Sequence, residues 1–454
     1  MPSYKTSSWL PNLILLLAFV PNLNLAPFLQ ADLQPFAGVL AFLFIVSITI
    51  MNGKIPRSIP SCYLFATISI ILIYFIPSIV KYSISDVSLA AVSYLVGPAL
   101  FVFFYYNLTK LSLTLVRFIF WILVVFGLLQ VFLPIGMLRE IDFVLSPLFT
   151  RFSMMPRETM RGISLVYPEP SNAAPYIVLA FMLYYFFYRL EKVSFTEIFA
   201  VIIFSILQIF WNKSGTVGVL AFLFLIIFSS IKLFNLFKHK KVFQIFCLVI
   251  ICLLVVIALS RMISVYQDKV RFVKLLSTLI EIFSSNEKIV SIENVYIFGS
   301  TRLISVYVGY MSVFLSILGL GLSASKYHFL NLCDFLQINP MDFIRFQEKG
   351  LINLKAHSYV SELTIDTGLI MLTVHILLAV YIIKRSLEIR HIDYLLAAIP
   401  LLGMIQIYFD SLITLPAPWI MLSFCGIYEL RALQGVFENK INPNHLSSKK
   451  SLKK

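Results

Sequence analysis

Residues 112–134 read SLTLVRFIFWILVVFGLLQVFLP, an apolar run whose single charge is Arg117. As an α-helix, about 20 such residues span roughly 30 Å of hydrocarbon. A strand of a membrane barrel would instead alternate polar and apolar over about 10 residues. This run does not alternate. Runs of the same kind recur along the chain, so the fold class expected is an all-α polytopic membrane protein.

Composition agrees. The 454 residues are 59% hydrophobic and 13% charged, with a mean hydropathy of +0.91, where a soluble domain carries about 25% charged residues. Much of the net charge of +14 lies in short loops and in the tail at Lys449, Lys450, Lys453 and Lys454. That is the bias of cytoplasmic loops, not a basic stripe for nucleic acid, and no nucleic-acid partner is expected. Cys62, Cys247, Cys252 and Cys425 lie in apolar runs and Cys333 in a long loop, so no disulfide framework is implied. The first run is interrupted by Pro11, Pro21 and Pro27. It lacks a small-residue cleavage signature and reads as a retained span.

About twelve spans are expected, near residues 10–30, 35–51, 60–80, 87–106, 112–134, 172–189, 195–211, 214–231, 243–260, 362–383, 393–410 and 413–430. Alternate loops carry Lys54 and Arg57; Lys110; Arg189 and Lys192; Lys232, Lys238, Lys240 and Lys241; and Lys384, Arg385 and Arg390. Placing these inside puts both termini in the cytoplasm. The chain then divides into N-terminal spans (1–134), an extracytoplasmic loop (135–171), central spans (172–260), a large extracytoplasmic loop (261–361), C-terminal spans (362–430) and a basic cytoplasmic tail (431–454). The large loop far exceeds the usual connection of about 4–6 residues, which marks it as functional or disordered, and its apolar content disfavours disorder. Within it Leu303–Leu322 is apolar enough to resemble a span. Crossing there would reverse the charge bias that follows, so a helix lying at the outer surface is expected.

Three polar groups adjoin the spans on that outer side. The first comprises Arg151, Arg157, Arg161 and Glu169, with Tyr167-Pro168 between the last two. The plainer reading is a capped helix start with Arg161 snorkelling to headgroups. The second is Gly299-Ser300-Thr301-Arg302 followed by Gly319-Leu320-Gly321. Its arginine suits a diphosphate, or is a surface residue ahead of an amphipathic helix. The third is His357-Ser358-Tyr359-Val360-Ser361-Glu362, with Asp366 and Gly368 beyond. A histidine at the mouth of a span can take a proton near neutral pH, or simply lie at the lipid–water interface. Lys213 opens the eighth span on the same side, as an anchor or as one more contact for an anionic lipid. No Walker, Cys-x-x-Cys, His-Glu-x-x-His or Asp-x-Asp sequence is present. Neither a metal nor a cofactor is expected.

In this order the groups resemble the bacterial O-antigen polymerase and ligase superfamily (Wzy-like and WaaL-like). The matching residues are Arg161-Gly162 then Glu169-Pro170-Ser171-Asn172-Ala173; Ser214-Gly215-Thr216; Thr301-Arg302 before Gly319-Leu320-Gly321; and His357-Ser358-Tyr359 before Glu362 and Gly368. The family often has His-Asn where this chain has His357-Ser358. The resemblance implies a GT-C-like helical fold in the bacterial inner membrane and a glycan donor carried on undecaprenyl diphosphate. It also implies membrane lipids, a chain-length regulator and a flippase as partners. In that reading Arg161, Arg302 and Lys213 bind the diphosphate. Each donor is worth about 3–4 kcal/mol in comparable anion sites. His357 acts on the acceptor hydroxyl, contributing on the order of 10²–10⁴-fold, and Glu169 is the second candidate base. Polymerase is the leading activity, with ligation of glycan to lipid A core a close rival. Transport of a lipid-linked oligosaccharide is the reading from another class; it calls for ionisable residues at mid-span.

Overall fold

The computed structural model describes residues 9–25, 34–52, 58–149, 163–167, 170–212, 229, 301–338, 356, 358–409 and 415–429. At residues 52, 170, 171, 301–304, 428 and 429 it describes the helix without the side chain. The elements are α1 (Trp9–Phe19), α2 (Phe36–Asn52), α3 (Ile59–Lys81), α4 (Ile84–Asn107), α5 (Leu113–Phe132), α6 (Ile135–Leu145), α7 (Pro170–Arg189), α8 (Phe195–Asn212), α9 (Thr301–Leu315), α10 (Ala324–Phe335), α11 (Tyr359–Ile389), α12 (Tyr394–Phe409) and α13 (Pro416–Ser423). Short 3₁₀ turns follow α4 and α13. No named strand occurs among the described residues, only an isolated bridge between Leu23 and Phe149.

Helix is the expected outcome for these sequences, because lipid cannot hydrogen-bond an exposed backbone. Among the described residues five helices are long and apolar enough to cross a membrane: Ile59–Lys81, Ile84–Lys110, Leu113–Phe132, Phe195–Asn212 and Tyr359–Ile389. Among the described residues capping serines begin four helices, Ser194 accepting from the Glu197 amide at 3.2 Å ahead of α8. Ser58 accepts from the Ser61 amide at 3.3 Å, Ser83 from Asp86 at 3.1 Å and Ser358 from Ser361 at 3.1 Å. Each satisfies one of the amides that a helix start leaves open.

The helices share two ends, called upper and lower here. The upper end is where α3 passes to α4 at Tyr82-Ser83. At the lower end, ion pairs tie the helix starts and stops together. Arg117 at the start of α5 meets Glu197 at the start of α8 through two hydrogen bonds of 2.7 Å. Arg189, which ends α7, meets Asp393 ahead of α12 at 2.7 Å.

The structure departs from the sequence reading in three places. The first expected span ends early: α1 stops at Phe19, and the chain turns at Pro21, which has no amide hydrogen to give a helix. The last expected span is short: α13 has 8 residues. It packs at mid-height, with the Trp419 indole against Gly97 in the middle of α4. The third departure is the apolar segment after residue 300. It forms α9, of 15 residues, which packs lengthwise on α11 and does not lie across the upper surface. Gly309 permits this, because a Cβ there would stand 2.7 Å from the Ser361 Cβ and 2.8 Å from its carbonyl oxygen. Cys333, expected in a loop, is buried within α10, and burial pushes its thiol up to about 12. The expected spans 243–260 and, save residue 229, 214–231 lie outside the described residues, as does the tail 431–454.

Candidate functional site

Arg161, Glu169, Lys213 and His357 lie outside the described residues. Arg302 is the second residue of α9, with its side chain outside the description. What the structure does describe is the scaffold immediately beside each of them.

Between Arg161 and Glu169, residues 163–167 are buried and fastened to three helices. The Ile163 amide donates to the Trp211 carbonyl at 3.2 Å, and Asn212 Nδ2 donates to the Ile163 carbonyl at 2.8 Å. Gln130 holds Leu165 from both sides, accepting its amide at 2.9 Å and donating to its carbonyl at 3.0 Å. Leu165 has φ 58°, a left-handed conformation unfavourable for a side chain of this kind. The paired bonds from Gln130 offset that strain. The Tyr167 hydroxyl reaches the Phe19 carbonyl at 2.9 Å, and its ring stacks on Tyr176 with centroids 4.4 Å apart. This stretch is therefore a clamp across the upper ends of α1, α5 and α8.

The second and third sequence groups meet directly. α11 is broken at Gly368, whose φ 65° and ψ −146° are not helical. The turn after α9 docks into that break, backbone to backbone. The Leu320 amide donates to Ile365 O at 3.0 Å, the Gly321 amide to Asp366 O at 2.9 Å, and the Leu369 amide to Ile317 O at 2.8 Å. The carbonyls released by the break thus find partners, as buried peptide groups must. Gly319 and Gly368 make the approach possible. A Cβ on Gly368 would stand 2.2 Å from Ile317 O, and one on Gly319 2.5 Å from Asp366 O. Because Gly309 lies beside Ser361 and Leu320 beside Ile365, α9 and α11 run parallel. The junction itself lies at the upper end, where the Tyr82 hydroxyl donates to Leu320 O at 3.0 Å and Ser78 Oγ accepts the Leu322 amide at 2.7 Å. The starts at Thr301 and Tyr359 therefore point away from that end, and Tyr359 lies at mid-height with its ring 5.6 Å from that of His375.

Two carboxylates stand one turn apart at this junction, as the four-residue spacing of Glu362 and Asp366 predicts. Asp366 is fully buried. Its Oδ2 accepts the Tyr94 hydroxyl and the Ser323 amide, each at 2.7 Å, and its Oδ1 accepts the Ser325 amide at 3.0 Å. It therefore caps α10 from a neighbouring helix and ties both to α4. Glu362 accepts the Ser325 hydroxyl at 3.3 Å. Beyond the junction Lys326 pairs with Asp86 at 2.9 Å, and Tyr327 also donates to Asp86. That carboxylate raises the Tyr327 phenol above its ordinary value. Bonded to two backbone amides and a phenol, Asp366 holds geometry in place.

The sequence reading missed a further group lower on α11. His375 is fully buried. Its Nδ1 lies 2.8 Å from the Met371 carbonyl, which can only accept, so Nδ1 carries a hydrogen. Nε2 of the singly protonated ring is left to accept from Tyr63 at 3.0 Å. Tyr359 packs edge-on to Trp419 at 4.7 Å and reaches Tyr94 O with its hydroxyl at 2.8 Å. The available signal was a lone histidine inside an apolar run. Among the described residues no group of three or more His, Cys, Asp or Glu side chains gathers to hold a metal.

Set against protein-family models, curated proteins and solved structures, the chain matches none.

Proposed function

We propose that this protein is a polysaccharide polymerase with about twelve spans and a GT-C-like arrangement, joining undecaprenyl-diphosphate-linked repeat units at the outer face of the cytoplasmic membrane. In this reading the upper end is extracytoplasmic and both termini are cytoplasmic. The supporting observation is the parallel packing of α9 on α11, with the Gly319 turn seated in the Gly368 break. It makes one unit of two sequence groups that lie far apart in the chain, and it sets the starts of both helices on the same side of their junction. Residue 302 opens one of those helices and residue 357 precedes the other.

The chemistry is inverting glycosyl transfer. The acceptor hydroxyl oxygen forms a bond to the donor's anomeric carbon. The bond from that carbon to the diphosphate breaks, and its electron pair leaves with the phosphate oxygen. The hydroxyl proton passes to His357 or Glu169. Arg161, Arg302 and Lys213 stabilise the charge that grows on the leaving group, where cations matter more than a general acid. Changing Arg161, Arg302 and His357 singly to Ala is expected to abolish long polymer at unchanged membrane levels of protein. Each loss corresponds to on the order of 10²-fold in rate. Polymer of normal length from all three variants would sink this reading. A reporter fused at residue 340 should report the extracytoplasmic side. A core capped by one repeat unit in a knockout indicates polymerase, and uncapped core indicates the ligase.

One observation favours transport of a lipid-linked oligosaccharide as a second reading. Asp366 and His375 are fully buried ionisable residues that flank the break at Gly368 in α11, and broken helices carrying such residues recur in transporters. Under that reading a knockout accumulates lipid-linked repeat units on the cytoplasmic side. The polymerase reading leaves them on the outer side.

A further inference from the structure

α6 is held to the bundle by very little of its own surface. Of its 11 residues only Leu138 is fully buried, while Ile135, Met137, Phe143 and Val144 are exposed. A helix this short is marginal in water without packing, so its apolar surface calls for cover. Its level is fixed at both ends. α6 follows directly on α5, a helix long and apolar enough to cross a membrane, which closes at the exposed Phe132. Past the far end of α6, the Leu148 carbonyl accepts the Asn24 amide at 2.7 Å. Gln130 and Asn22, just before these two points in the chain, hold adjacent residues of the clamp, Leu165 and Val166. Both ends of α6 are therefore tied to one height, and the helix runs across the upper end instead of along a span.

The sides of α6 differ in kind. Met137 and Val144 lie two and five residues from the exposed Arg139, about 160° and 140° round the helix. Leu138 falls between these two sides and turns to the bundle, and Phe143 falls on the outer flank beside Glu140. We infer that α6 lies in the plane of the membrane, with Met137 and Val144 seated in the lipid leaflet at the upper end and Arg139 directed to water. Helices of this pattern sink their apolar side about 5–10 Å into the boundary of headgroups and acyl chains. Lipid is the occupant because the interface is continuous. Val125, Val131 and Phe132 on the span below are exposed apolar residues, and the leaflet that covers them reaches the height at which α6 begins. The same ties hold residues 163–167 close to headgroup depth.

The test places bimane on Met137→Cys, Val144→Cys and Arg139→Cys in the full chain, reconstituted in dioleoyl phosphatidylcholine vesicles with fewer chains than vesicles. The wild-type chain, labelled at its own cysteines, supplies the background, and each variant must match its size-exclusion profile. Doxyl-labelled phosphatidylcholine quenches from the lipid, and iodide on both faces quenches from water. The ratio of lipid to iodide quenching is expected to be several-fold higher at 137 and 144 than at 139. Val144→Cys decides alone if Met137→Cys does not fold, and the reverse. A ratio at these positions no higher than at 139 overturns the inference, since α6 then stands in water. Protection of 137 and 144 from both quenchers also overturns it, in favour of cover by another part of the chain.

Discussion

Gly368→Ala is expected to undock the α9–α10 hairpin from α11 and to destabilise the protein by about 3–6 kcal/mol. Two effects combine. At φ 65° and ψ −146° a residue with a Cβ is strained, which costs about 1–3 kcal/mol. The added carbon also has nowhere to go, since its neighbours would be Ile317 O at 2.2 Å, Gly319 N at 2.4 Å and Leu318 C at 2.6 Å. All three are backbone atoms and none can rotate aside. Relief requires separating the two segments, which strips partners from the Leu320, Gly321 and Leu369 amides. Gly136→Ala on α6 is the control, because nothing lies within 4 Å of its Cβ position. Thermal inactivation in detergent, followed by size-exclusion chromatography, should show a large loss for Gly368→Ala and none for Gly136→Ala. Wild-type behaviour of Gly368→Ala would mean that the turn does not sit in the break.

Asp366→Ala is expected to cost about 3–6 kcal/mol, the sum of three buried donors left without an acceptor at about 1–2 kcal/mol each. These are the Tyr94 hydroxyl and the Ser323 and Ser325 amides. Asp366→Asn retains one oxygen and should lose less than half as much. Tyr94→Phe removes a donor together with its need for a partner, so about 1–1.5 kcal/mol is expected. In the double variant the second change should then add little to the first, because the two residues share one bond. Simple additivity of the two losses would show that Tyr94 and Asp366 act independently.

How much of this was legible in the chain depends on distance along it. The apolar runs located α3, α4 and α5 to within a few residues, since lipid demands helix and helix demands length. The run ahead of Pro21 misled, because apolar character continues past the residue where the backbone turns. Gly319, Gly321, Glu362, Asp366 and Gly368 were all singled out as residues, yet nothing local announces that Gly319 faces Gly368. Close approach of two backbones leaves only a pair of small residues as its trace. The orientation of α9 was misjudged for the same reason, since its hydrophobic face suits lipid and α11 equally well. His375 was passed over because one histidine among apolar neighbours has no pattern to it, and its partner Tyr63 lies 312 positions away.

The bond between Tyr94 and Asp366 joins residues 272 apart, and this affects how the protein is made. A ribosome adding about 5–20 residues per second delivers α4 to the membrane on the order of 15–50 s before α11. Through that interval the Tyr94 hydroxyl and Tyr63, which waits for His375, sit in a half-built bundle where water cannot stand in for the missing acceptors. A chain terminated after α8 never receives them. Newly inserted N-terminal helices therefore wait for these partners until residues 366 and 375 have been made, and splitting the gene between α8 and α9 is expected to leave the first half without them.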